Sequence, residues 1–138
     1  MNPISIQNPP PLPEVPATPT RQERVVLAQM LTQLMLHWKL PIKAQCALLG
    51  LHESSKGRIY RYRRGSPLSA NRDQMDRAAL LLSIHANLRV LFPKNREIVY
   101  SWMSNGNKAF NGHSPVAVAQ AYGIVGLGMS RRYLTQAL

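Results

Sequence analysis

From Arg21 onward the apolar residues recur at helical spacing, and nowhere does a period-two alternation last long enough to predict a strand. Thr20 and Glu23 fit a capping box, and Val26, Met30, Leu34 and Trp38 follow at i+4 intervals until Pro41 ends the first helix. A short second helix is predicted from Ile42 to Leu49, with Gly50 as its left-handed stop. After a turn from Leu51 to Ser54, Ser54 or Ser55 can cap a third helix that runs to about Arg64 and ends at Gly65 and Ser66-Pro67. Asn71 caps a fourth, Arg72 to Leu91, whose apolar face is Met75, Ala79, Leu82 and Ala86, widened by Leu80, Ile84, Leu88 and Leu91. Phe92-Pro93 closes it. A fifth helix is predicted over about Asn95 to Met103, a turn at Asn105-Gly106, a sixth helix starting at Ser114-Pro115, and a last one from Met129 to Leu138. Gly123, Gly126 and Gly128 have no strand before them and read as loop glycines. The predicted fold is all-α.

The first nineteen residues depart from this pattern, because they hold seven of the eleven prolines and too few backbone donors to pack. Residues 1–20 therefore read as a flexible proline-rich tail, with residues 21–93 as an N-terminal helical domain and 94–138 as a smaller C-terminal one. Pro13, Pro16 and Pro19 sit at polyproline-II spacing, so the tail reads either as a solvated linker or as a proline-recognition segment.

Charge sharpens the picture. Seventeen Lys+Arg against six Asp+Glu give the 138 residues a net charge of +11, and a polyanion, nucleic acid before membrane lipid, is the partner this predicts. The excess peaks in residues 21–70, which hold nine basic and two acidic residues. Apolar residues make up 45% of the chain, enough for a packed core. A single cysteine, Cys46, excludes an intrachain disulfide and reads as a small core residue; with no signal-peptide pattern and no run of about 18 apolar residues, a cytoplasmic, non-membrane protein is expected.

The most informative segment is Ile42 to Gly65, two short helices joined by a glycine-containing turn. The second carries Lys56, Arg58, Arg61, Arg63 and Arg64 with no acid among them. At 100° per residue Ile59 and Tyr62 share one face, while Gly57, Tyr60, Arg61 and Arg64 share the opposite one. A helix greasy on one side and cationic on the other suits a DNA major groove, where forked arginine donors reach guanine O6 and N7 and neighbouring cations neutralise phosphates. An anionic protein or lipid surface, or a merely solvated face, are the competing readings. Enzyme readings find no footing: His37, His52, His85 and His113 are scattered, no metal-ligand spacing occurs, and Asp73 and Asp76 suit the positive end of a helix dipole. No catalytic residue, metal or cofactor is expected. In the C-terminal part, Trp102, Phe110, the turn Asn111-Gly112, the helix start Ser114-Pro115 and Arg131-Arg132-Tyr133 have the composition of a protein-binding surface, although Trp102 and Phe110 read equally as core.

In order along the chain, Trp38-Lys39-Leu40, Ala47-Leu48-Leu49-Gly50, Tyr60-Arg61-Tyr62, Leu81-Leu82-Ser83-Ile84, Leu91-Phe92-Pro93, Trp102, Asn107, Phe110, Gly112, Ser114-Pro115, Gly123-Ile124-Val125-Gly126-Leu127 and Arg131-Arg132-Tyr133-Leu134 resemble the Xre/MbcA/ParS-like antitoxins. The resemblance spans about Val26 to Leu138. It implies an antitoxin of a type II toxin–antitoxin pair, with an N-terminal Xre-like helix-turn-helix that represses its own operon as a homodimer. It also implies a C-terminal domain that covers the active-site cleft of an NAD+-consuming RES-domain toxin. Carried over by position, DNA contacts fall on Tyr60 and Arg61, to which the charge pattern adds Ser55, Lys56, Arg58, Arg63 and Arg64. Toxin contacts fall on Asn107, Phe110, Gly112, Ser114, Pro115, Arg131, Arg132 and Tyr133, with Leu138 at the free end. In many relatives the motif matching Tyr60-Arg61-Tyr62 lies closer to the glycine, with tryptophan where Tyr62 stands; the longer turn here implies a recognition helix that begins late. A helix-turn-helix repressor without a toxin is the alternative.

Overall fold

Helix ends are set by local chemistry that recurs three times along the first half of the chain. The computed structural model describes residues 9–14 and 17–138. Residues 1–8 and 15–16, Pro3 and Pro16 of the expected tail among them, lie outside the described residues, while Pro9 to Glu14 are exposed and carry no regular structure. The elements are α1 (Arg21–His37), α2 (Ile42–Leu48), α3 (Lys56–Arg63), α4 (Arg72–Leu91), α5 (Arg96–Ser101), α6 (Pro115–Tyr122) and α7 (Ile124–Ala137), with 3-10 turns at Glu53–Ser55, Trp102–Ser104 and Lys108–Phe110. The fold is all-α, with no strand among the described residues.

α1 opens with the expected capping box: Glu23 N donates to Thr20 Oγ1 and Thr20 N to Glu23 Oε1. That hydrogen bonding to Thr20 holds the Glu23 carboxyl below its ordinary pKa. α1, α2 and α3 then end alike, each with a left-handed residue whose N–H reaches back three residues while the next N–H reaches back five. The pairs are Lys39 to Leu36 and Leu40 to Met35, Gly50 to Ala47 and Leu51 to Cys46, and Gly65 to Tyr62 and Ser66 to Arg61. Two of these stops are glycine, as expected. The third is Lys39, with φ +56°, which carries a Cβ in a region that disfavours one.

One cluster of buried side chains runs from Ala28 to Leu134 and draws on residues 21–93 and 94–138 alike. α3 packs on α1 and α2; α6 packs on α2 and α7; α7 packs on α4. Arg131 Nε donates to Ser83 Oγ and Asn87 Nδ2 to Thr135 Oγ1 at the same sequence offset, so α4 and α7 run parallel.

Three expectations are corrected. On α1 the core-facing residues are Ala28, Leu31, Leu34 and Met35, while Val26 and Met30 are about half exposed. A strict i+4 row drifts some 40° per step around a helix, so only the later part of the Val26 to Trp38 row reaches the interior. On α4 the buried set is Gln74, Ala78, Leu81, Ile84 and Leu88, leaving Ala79 and Ala86 exposed. Last, Gly126 and Gly128 lie inside α7, which starts five residues before the expected Met129; only Gly123 makes the turn, with φ +63°. Gly126 is there because α6 crosses at contact distance: a Cβ would lie 2.5 Å from Val118 O and 2.8 Å from Ala119 Cα.

Candidate nucleic-acid and partner interfaces

The cationic helix is built outward from its buried side. Ile59 and Tyr62 anchor α3 in the core, on the shared face that the periodicity predicts. Lys56, Gly57, Arg58, Tyr60, Arg61 and Arg64 are exposed, and no carboxylate lies within 4.0 Å of any of these cations among the described residues. Gly57 sits one turn before Arg61, with the position of its absent Cβ 3.6 Å from Arg61 Nη1, so this guanidinium lies along a smooth stretch of helix. A 3-10 turn at Glu53–Ser55 follows Gly50, and α3 starts at Lys56. It is His52, rather than either serine, that caps this turn: its Nδ1 accepts from Ser54 N at 3.1 Å, and Ser55 makes no side-chain cap bond.

Arg63 differs from the other four cations. It is half-buried, its Nη2 donates to Gln45 Oε1 at 3.0 Å, and its guanidinium lies over the Tyr60 ring, 5.5 Å from the centroid. Gln45, 3% exposed, spends its other group on Leu40 O at 2.9 Å. One buried amide thus ties α2, the end of α1 and the cationic helix together, and Arg63 supports Tyr60 instead of standing free. Sequence reasoning missed Gln45; a glutamine between Ala44 and Cys46 in an apolar stretch was the available signal. A second strut is Arg77 of α4, which pairs with Asp73 at 2.9 Å and donates to Ala47 O at 3.1 Å, satisfying the carbonyl end of α2. Cys46 is buried, and desolvation, helped by the nearby Glu53 charge, pushes its thiol pKa up, which suits a core residue.

The C-terminal candidates divide into two groups. Asn107 Oδ1 accepts from Ala109 N, Gly112 N donates to Asn107 O, Ser114 Oγ accepts from Ala117 N to cap α6, and Pro115 is buried at that helix's first position. Those four shape the loop. Phe110 and Tyr133, far apart in sequence, come together: Tyr133 stacks on Trp102 with centroids 6.2 Å apart and meets Phe110 at 5.9 Å. Beyond this cluster, Arg132 and Leu138 are exposed, and Arg131 is exposed while bonded to Ser83. The expected α7 start hid two further residues, because Val125 and Met129 stand one helical turn apart ahead of Tyr133, all three exposed, forming an apolar stripe that leads into the aromatic cluster.

Among the described residues no helix is long and apolar enough to cross a membrane. No family model matches the sequence, and no curated protein matches it either.

Proposed function

We propose that this chain is a cytoplasmic antitoxin of a type II toxin–antitoxin pair, a binding protein with no catalytic task of its own. In this reading α2 and α3 act as a helix-turn-helix on operator DNA. Lys56, Arg58 and Arg64 neutralise phosphates, Arg61 and Tyr60 meet base edges or sugars, and Arg63 holds Tyr60 in place. The C-terminal surface of Phe110, Val125, Met129, Arg132, Tyr133 and Leu138 engages a RES-domain toxin and covers its NAD+-consuming active site. A second copy of the chain covers the groove between α1 and α4, where Leu27, Met75, Ala79 and Leu82 leave apolar surface open to solvent.

The observation that carries this reading is the convergence of Trp102, Phe110 and Tyr133 into a half-exposed aromatic cluster continuous with the α7 stripe. Large aromatics beside arginines, left open to water, are the makings of a protein-binding hot spot. A repressor without a toxin remains the second reading, favoured by an α3 face that is complete without α7. Co-expression with a RES-domain toxin from the neighbouring reading frame separates the two. The antitoxin reading expects the chain to rescue growth and to co-purify with the toxin, and expects F110A/Y133A to lose both while still binding operator DNA. Failure of the unaltered chain to rescue or co-purify overturns it in favour of the repressor.

A further inference from the structure

The turn after α4 gathers cations that neither interface above uses. Arg89 in the last turn of α4, Lys94 in the connection and Arg96 at the head of α5 line one open pocket of about 430 Å³, walled by Phe92, Pro93 and Tyr100. No acidic residue lines it, and no carboxylate lies within 4.0 Å of the three cations among the described residues. Four of the six acids are engaged elsewhere, Glu53 with Lys43, Asp76 with Arg72, Asp73 with Arg77 and Glu23 in its capping box; Glu97 follows Arg96 on α5, exposed and outside the pocket lining, where it suits the positive end of that helix.

One cation near the C-terminus of α4 answers to the helix dipole, and Arg89 meets that need. Three in one concavity exceed it; they repel one another, and the low-dielectric walls concentrate their field on whatever enters. The aromatic wall narrows the choice of ligand. Tyr100 stacks with His37 at 4.9 Å on centroids and with His85 at 6.0 Å, both nearly parallel, so its ring is already partnered within the protein. Three cations with no acid in the lining suit a compact oxyanion.

We propose that this pocket binds a phosphate group, held by Arg89, Lys94 and Arg96 and presented either by a nucleic-acid backbone or by a small phosphorylated compound. The test titrates inorganic phosphate and pyrophosphate into the full chain at low salt, following the amide resonances of Arg96 and Tyr100. Saturable shifts are expected, weakened at least about tenfold by R89Q/R96Q and retained in R61Q/R64Q on α3. Because Arg89 and Arg96 are exposed, the variant's unchanged circular dichroism and melting check that the fold is kept. The source of the phosphate follows from duplex DNA binding. A shallower salt dependence in R89Q/R96Q identifies a backbone phosphate, and an unchanged one, with pyrophosphate binding lost, identifies a small compound. Absence of saturation, or equal weakening by the α3 variant, overturns the pocket and leaves only diffuse attraction between anions and a basic protein.

Discussion

Replacing Gly126 by alanine tests the packing that carries the C-terminal surface, and Gly128 supplies the control on the same helix. A Cβ at Gly126 would lie 2.5 Å from Val118 O and 2.9 Å from Val118 C, backbone atoms of α6 that no rotamer change can move, whereas ordinary contact begins near 3.4 Å. The helices must therefore separate by roughly 1 Å, an overpacking that costs about 1–3 kcal/mol. Alanine returns about 1 kcal/mol of helix propensity, so G126A is expected to be destabilised by a net of up to about 2 kcal/mol. At Gly128 nothing lies within 4 Å of the added carbon, and the propensity gain of up to about 1 kcal/mol should stand alone. Urea denaturation followed by circular dichroism would show the two midpoints moving in opposite directions around the unaltered protein, with m unchanged. Equal midpoints for G126A and G128A would refute the close crossing of α6 and α7, and with it the placement of Tyr133 against Phe110.

Four further outcomes follow from the same structure. Lys39→Gly relieves a left-handed residue that carries a Cβ, and should raise stability by about 0.5–1 kcal/mol; a loss on denaturation would show that Lys39 makes a contact worth more than the strain. Gln45→Ala strands Leu40 O and frees Arg63, and should cost about 1–3 kcal/mol; in a double-mutant cycle with Arg63→Ala, strictly additive losses would deny the bond between them. Asn71→Ala removes the side chain that caps α4 at 2.8 Å and should cost about 1 kcal/mol, read as a lower thermal midpoint. The last concerns pH. Burial, with the Arg89 and His37 charges, holds the His85 pKa below its ordinary 6.5, so its stabilising contribution is present above that pH and fades as pH falls through the lowered value. The protein should melt lower at about pH 5 than at about pH 7.5, and His85→Gln should flatten that difference; an unchanged slope would place the titration elsewhere.

Most of the helix architecture was legible because its signals are local. Thr20 and Glu23, Asn71, and Ser114 before Pro115 cap where a side-chain oxygen precedes a helix, and Gly50 and Gly65 stop helices because a left-handed φ favours a residue without a Cβ. Lys39 was not legible as a stop, since nothing in its side chain announces a left-handed backbone. Gly126 misled for the opposite reason: its use is the approach of a second helix, a tertiary fact that a reading of turns cannot supply. The amphipathic α3 was readable because Ile59 and Tyr62 follow helical periodicity. The division of labour among its cations was not, because Arg63 is captured by Gln45 from another helix. Likewise the aromatic composition of the C-terminal part flagged Phe110 and Tyr133, but their meeting depends on α7 starting at Ile124, which also exposes Val125 and Met129. Leu127, Ser130 and Leu134 put α7 into the core, so single surface substitutions probe its function better than truncation.

The central claim is that exposed, unpaired cations on α3 meet nucleic-acid phosphates. Its most direct test is the salt dependence of duplex DNA binding, measured by fluorescence anisotropy on the full chain and on R58A/R64A. Lys56, Arg58 and Arg64 on phosphates contribute about −3 to the slope of log K against log salt, and loss of two should make it shallower by about 2. The same slope in both proteins would contradict the account and move the DNA contacts, if any, off this helix.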